Sequence, residues 1–139
     1  MNARLIFAPV LVQIALTMAV FILLNFAKAK AIRNGEVDNA RRALDEDAWP
    51  DGVRKINNNI RNQFEVPVLF YALALTLFAL NAVSVAALSI AWLFVLSRLV
   101  HAYIHVGTNY VPHRRNAFMF GCVMIVALTV VAACALIAT

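Results

Sequence analysis

Three apolar runs organise the chain: Leu5 to Ala27, Ala82 to about Val100, and Ala117 to Ala138. Each approaches the ~20 residues that carry a helix across a bilayer core. A fourth run, Val66 to Leu80, is shorter. It reaches spanning length only when its helix begins near Asn59, which makes Asn59 to Glu65 polar first turns near the interface or inside a protein bundle. The pattern therefore predicts one all-α domain over residues 1–139, an integral membrane four-helix bundle. Its spans are expected at about 5–27, 59–80, 82–106 and 116–138, with a polar loop at about 28–53. Asn81 to Ser84 suits a tight hairpin between the second and third spans. Asn34-Gly35 and Trp49-Pro50-Asp51-Gly52 mark turns at the ends of the long loop. Between them Val37 to Leu44 is expected to form a short surface helix, and Pro112 to start the last helix near His113.

Composition agrees with that pattern. With 63% hydrophobic and 14% charged residues over 139 positions, the chain is too apolar for a soluble domain of its size. The first run is longer than the ~7–15 apolar residues of a signal peptide, so it reads as a retained span. The formal charge of +5 does not indicate nucleic-acid binding, because of where the bases lie. Lys28, Lys30, Arg33, Arg41, Arg42, Arg54, Lys55 and Arg61 fall between the first and second runs, and Arg114 and Arg115 between the third and fourth. Only Arg4 sits at the opposite end of a span. Four crossings put both basic segments on one side, which the positive-inside rule makes the cytoplasm, with both termini outside it. The compact chain suits a bacterial inner membrane. Cys122 and Cys134 lie too far apart along one helix to bridge and read as buried thiols.

Three polar constellations stand out against the apolar background. Arg61, Asn62 and Glu65 enter the second span, where ionisable groups are costly and so are functional candidates. Arg54, Asn58, Asn62 and Glu65 form a stripe on one helical face, and Arg61 and Glu65 are i and i+4, positioned to pair. Arg98, His101 and His105 follow at i, i+3 and i+7 on the third span, with Arg98 a candidate partner for Glu65. His101 and His105 lack a third ligand, so no metal site is read here. Pro112-His113-Arg114-Arg115-Asn116 opens the fourth span. These arginines serve either as a topology signal touching lipid phosphates or as an anion site that lowers a thiol pKa. All three constellations fall at one membrane depth on one side.

Arg61-Asn62-x-x-Glu65 followed by Pro67, then Ser97-Arg98-x-x-His101 with Gly107, then Pro112-x-Arg114 before a last span, resembles the MAPEG family, the membrane-associated proteins in eicosanoid and glutathione metabolism. The likeness extends over essentially the whole chain. It implies a homotrimer with glutathione as co-substrate between subunits. It also implies that Asn62 and Glu65 contact the polar groups of the tripeptide, that Arg61, Arg98 and His101 belong to the binding network, and that Arg114 or Arg115 favours the thiolate. Asn58 and Ile60 stand where members often carry arginine and histidine, and His105 where some carry tyrosine.

The resulting expectation is a membrane-bound glutathione-dependent transferase or peroxidase acting on a lipophilic electrophile or lipid peroxide that arrives from the bilayer lipids. The alternative, which the three departures favour, is a non-catalytic accessory or lipid-binding subunit of a larger membrane complex. A proton or ion path along Glu65, Arg98, His101 and His105 is weaker, because these groups cluster at one end.

Overall fold

A computed structural model describes residues 2–138; Met1 and Thr139, the end residues of the expected domain, lie outside them. Five α-helices follow in order: α1 (Phe7–Arg33), α2 (Asp51–Gln63), α3 (Val66–Ala79), α4 (Val85–Val106) and α5 (Val111–Ile137). Short 3-10 turns at Ala3–Ile6 and Glu46–Ala48 precede α1 and α2. With α2 and α3 taken end to end, four helical stretches are long and apolar enough to cross a membrane: Ala3–Arg33, Asp51–Ala79, Val85–Val106 and Val111–Ile137. The described residues contain no strand, so the fold is all-α.

The second crossing is broken where the sequence suggested a continuous helix. Pro67 has no N–H to give the Gln63 carbonyl, so the ladder cannot run through this point. The chain leaves helical geometry at Phe64 (ψ 10°) and Glu65 (φ −96°, ψ −104°), and α3 restarts with proline in its first turn. The two halves differ in chemistry as well. Val53, Ile56 and Ile60 form one buried face of α2 against Val20, Leu24 and Ala31 of α1, while its other face is polar. The helix α3 is apolar all round, as a lipid-facing span requires.

A second core fills the opposite half of the bundle. Phe70 stacks on Phe94 with centroids 4.6 Å apart. Ala74, Leu77, Ala87, Ala91, Leu128 and Ala132 close around them, the alanines letting the helices approach. At the tightest point of α4 and α5, a Cβ added to Gly121 would lie 2.8 Å from Ser97 Oγ. The α3–α4 hairpin turns through Asn81 at φ 53°, a left-handed position that asparagine tolerates. Ser84 then caps α4 by accepting the Ala87 N–H at 3.1 Å.

The other end of the bundle gathers the C-termini of α1 and α4 and the N-termini of α2 and α5. Lys55 Nζ ties two of these by donating to the Gly107 carbonyl at 2.7 Å. The long loop folds back here. Residues 39–44 are a run of turns and not the expected surface helix. The Asp38 side chain takes the Ala40 N–H at 3.0 Å, and its main chain pairs with Ala48, a competition with helix typical of aspartate. Trp49 packs under the loop, with its indole N–H on the Arg42 carbonyl and the Lys28 ammonium 5.0 Å from the ring. The Asp47 N–H, and then Arg41, hold the Asp45 carboxyl below the usual carboxylate range.

Candidate functional site

The helix break decides where the polar side chains go. With α2 ending at Gln63, the Asn62 carbonyl has lost its intrahelical donor, one of the orphans that every helix end leaves. Arg98, on α4 and fully buried, fills that role: its Nη2 donates to Asn62 O at 3.1 Å. The same guanidinium lies 5.8 Å from the Phe118 ring of α5, so one cation joins three helices. Its Nε and Nη1 are buried and have no hydrogen-bond partner.

One turn along α4, His101 Nδ1 donates to the Arg114 carbonyl at 3.1 Å. That bond fixes the tautomer and leaves Nε2 buried and unpartnered. The His105 ring stands edge-on to His101, 5.4 Å between centroids. The Arg114 side chain turns back to the α4–α5 connection, donating to Asn109 Oδ1. Asn109 itself sits at φ 53°, in the turn that reverses the chain between the helices.

These groups surround a recess of about 310 Å³ lined by Asn62, His101, Val111, Arg114, Arg115 and Phe118. Four residues expected at the site, Asn62, His101, Arg114 and Arg115, thus share one wall system, with Arg98 beneath it. Arg61 and Glu65 are not part of it. Arg61 swings to the long loop and pairs with Glu46, which also accepts from Asn57 Nδ2 at 3.2 Å. Glu65 is exposed at the break, and among the described residues it makes no ion pair with either Arg61 or Arg98. The expected Arg61–Glu65 pair needed an unbroken i, i+4 helix, and Pro67 removes it. The expected Arg98–Glu65 pair gives way to the nearer carbonyl of Asn62.

Sequence reasoning passed over two contributors. Asn109 tethers Arg114, and its signal was an asparagine just ahead of a helix-starting proline. Phe118 supplies the aromatic wall, one helical turn beyond Arg114. Deeper in the bundle, Gln13 Nε2 donates to Gln63 Oε1 at 2.9 Å, and Gln63 Nε2 to Asn59 Oδ1 at 2.8 Å. All three amides are buried. They clamp α1 to the end of α2, directly below the break.

The sequence model of one known family matches residues 5–134 of the chain. The chain belongs to the MAPEG family. It is accordingly an integral membrane protein, of a family that works in membrane-associated eicosanoid and glutathione metabolism. Comparison with curated proteins and with solved structures gives no match. Within the MAPEG chain, the recess occupies the end of the bundle where the break in the second crossing, the end of α4 and the start of α5 converge.

Proposed function

We propose that this MAPEG protein is a membrane-bound glutathione-dependent transferase or peroxidase, and that glutathione enters the recess beside Asn62, His101, Arg114 and Arg115. The observation that carries the reading is the recess itself, which two arginines of α5 line together with an amide and an imidazole. Glutathione brings two carboxylates, an ammonium and a thiol. The arginines suit its anionic groups. A guanidinium near the sulfur raises the thiolate fraction at neutral pH, since an adjacent positive charge favours the ionised form.

The thiol proton leaves to water, and the sulfur lone pair forms a bond to the electrophilic carbon of a lipophilic substrate. A leaving group departs with the displaced electron pair, or an opened ring oxygen takes up a proton. With a hydroperoxide, the sulfur attacks the terminal oxygen, an alcohol is released, and a second thiol closes a disulfide and expels water.

One feature supports assembly with further copies of the chain, which the family resemblance makes a homotrimer. Glu65 and Arg61, implied by the family resemblance to serve the tripeptide, lie outside the recess of a single chain. A neighbouring copy supplying the carboxylate for the glutathione ammonium would complete the site. The basic end of the bundle faces the cytoplasm of a bacterial inner membrane, and both termini lie outside it.

Titration of purified protein with glutathione, followed by thiolate absorbance and by thermal stability, tests the proposal. A saturable rise in both at millimolar ligand is expected. A flat response overturns it.

A further inference from the structure

The face of α1 that meets α2 and α4 carries a second set of features. Leu16, Ala19, Val20, Leu23, Ala27, Lys30, Ala31 and Asn34 recur at three- and four-residue intervals and so share one helical face. Two cavities lie along it. The deeper, about 410 Å³, runs between α1 and α4, walled by Leu16, Val20 and Leu23 on one side and Leu99, Ala102 and Tyr103 on the other. The outer, about 430 Å³, lies between α1 and the start of α2, and both Lys30 and Lys55 line it. Lys55 links the two, because its ammonium donates to the carbonyl of Gly107, a wall residue of the deeper cavity. Glu36, the one carboxylate at the outer cavity, accepts from the amide of Asn34 at 3.1 Å.

We infer that this face binds an anionic glycerophospholipid, with an acyl chain in the α1–α4 groove and the phosphate at Lys30 and Lys55. Depth and charge both support this occupant. Leu16 to Lys30 spans about 21 Å at 1.5 Å per residue. One leaflet with its headgroup region is about 20–22 Å thick. The groove therefore covers one leaflet from near its midplane to its surface, with apolar walls throughout the hydrocarbon and cations only at the headgroup level. A packed helix from a neighbouring chain would have no need of that order, whereas an amphiphile matches it end to end. The site lies away from the recess and does not depend on what the recess does.

Native mass spectrometry of the detergent-solubilised protein, offered equal amounts of phosphatidylglycerol and phosphatidylcholine, reads the preference directly. Phosphatidylglycerol is expected to be retained. Lys30→Gln, at an exposed position, should weaken that retention about fivefold, since each basic residue near an anionic surface contributes about that factor. Lys30→Arg should keep it. Ala19→Trp, which fills the groove and leaves both lysines, should reduce retention of the lipid with no change in oligomeric state. Equal retention of the two lipids, or a preference untouched by Lys30→Gln, overturns the inference. So does a Tyr103→Cys variant that forms a disulfide between copies in membranes, because the face would then belong to a subunit interface.

Discussion

The Arg98 guanidinium caps a helix to which it does not belong: its Nη2 donates to the main-chain oxygen of Asn62 at 3.1 Å, across from α4 to the last turn of α2. A proline two residues past Glu65 ends the ladder, and a buried cation takes up one of the carbonyls released. The cap places positive charge at a helix C-terminus, where the macrodipole favours it. It also holds Asn62 at the mouth of the recess, so the break, the cation and the site depend on one another.

Replacing that cation tests the arrangement. Arg98→Met keeps much of the buried volume and leaves the Asn62 carbonyl without a donor. A charge-assisted hydrogen bond contributes about 1.5–3 kcal/mol, and a loss in that range is expected in reversible unfolding in mixed detergent. Unchanged stability would show that Asn62 is satisfied in some other way.

The buried amides below the break make a second, separable contribution. Gln63→Leu removes two hydrogen bonds and strands Gln13 and Asn59 in an apolar interior. The interhelical Gln13–Gln63 bond contributes about 0.6–1.7 kcal/mol and the Gln63–Asn59 bond within α2 about 0.5–1.5 kcal/mol, so a loss of roughly 1–3 kcal/mol is expected for the pair. The triple variant Gln13→Leu/Asn59→Leu/Gln63→Leu should recover much of it, because no polar group is then left unpaired. A triple variant weaker than the single would show that these amides do more than satisfy one another.

Much of this site is legible in the sequence wherever helical spacing runs unbroken. Arg98 and His101 at i, i+3 lie on the same buried face of α4, and Pro112 fixes where α5 begins, so Arg114 and His101 meet at the expected depth. Legibility fails at Pro67. Arg61 and Glu65 satisfy the i, i+4 rule in the sequence, yet that rule assumes the hydrogen-bond ladder which the proline removes. Arg61 then finds Glu46, whose position depends on how the long loop folds, and no periodicity reports a contact of that kind. Gln13 is a lone amide side chain in an apolar stretch of α1, and no spacing within that helix points to Gln63. The pair is visible only when α1 and α2 are packed together.

Close approach of α4 and α5 gives a third test. An added methyl at Gly121 would meet Ser97 Oγ at 2.8 Å, and that hydroxyl is held by its 2.6 Å bond to the Phe94 carbonyl. Overpacking costs about 1–3 kcal/mol, against a gain of about 1 kcal/mol from alanine in a helix. Gly121→Ala is therefore expected to lose up to about 2 kcal/mol net. Ser97→Ala removes the obstructing oxygen, and the double variant should be at least as stable as Ser97→Ala alone. A double-mutant cycle measured by unfolding in detergent checks this, and strict additivity would place the close contact elsewhere.

Arg114 is the residue on which the proposed chemistry turns, and its tether separates charge from position. Arg114→Ala removes the cation beside the sulfur, so the thiolate formed on adding glutathione should fall by about tenfold or more, the effect of roughly one pKa unit. Asn109→Gly keeps the left-handed turn, which glycine accepts readily, and frees the Arg114 side chain from its acceptor. That variant should bind glutathione with little loss while forming less thiolate, because the charge remains but is no longer held in place. Stopped-flow absorbance of the thiolate, set against calorimetric binding of glutathione, distinguishes the two. If Arg114→Ala forms thiolate as fully as the parent, the activating role passes to Arg115 on the same wall of the recess, and Arg115→Ala should then show the loss in its place.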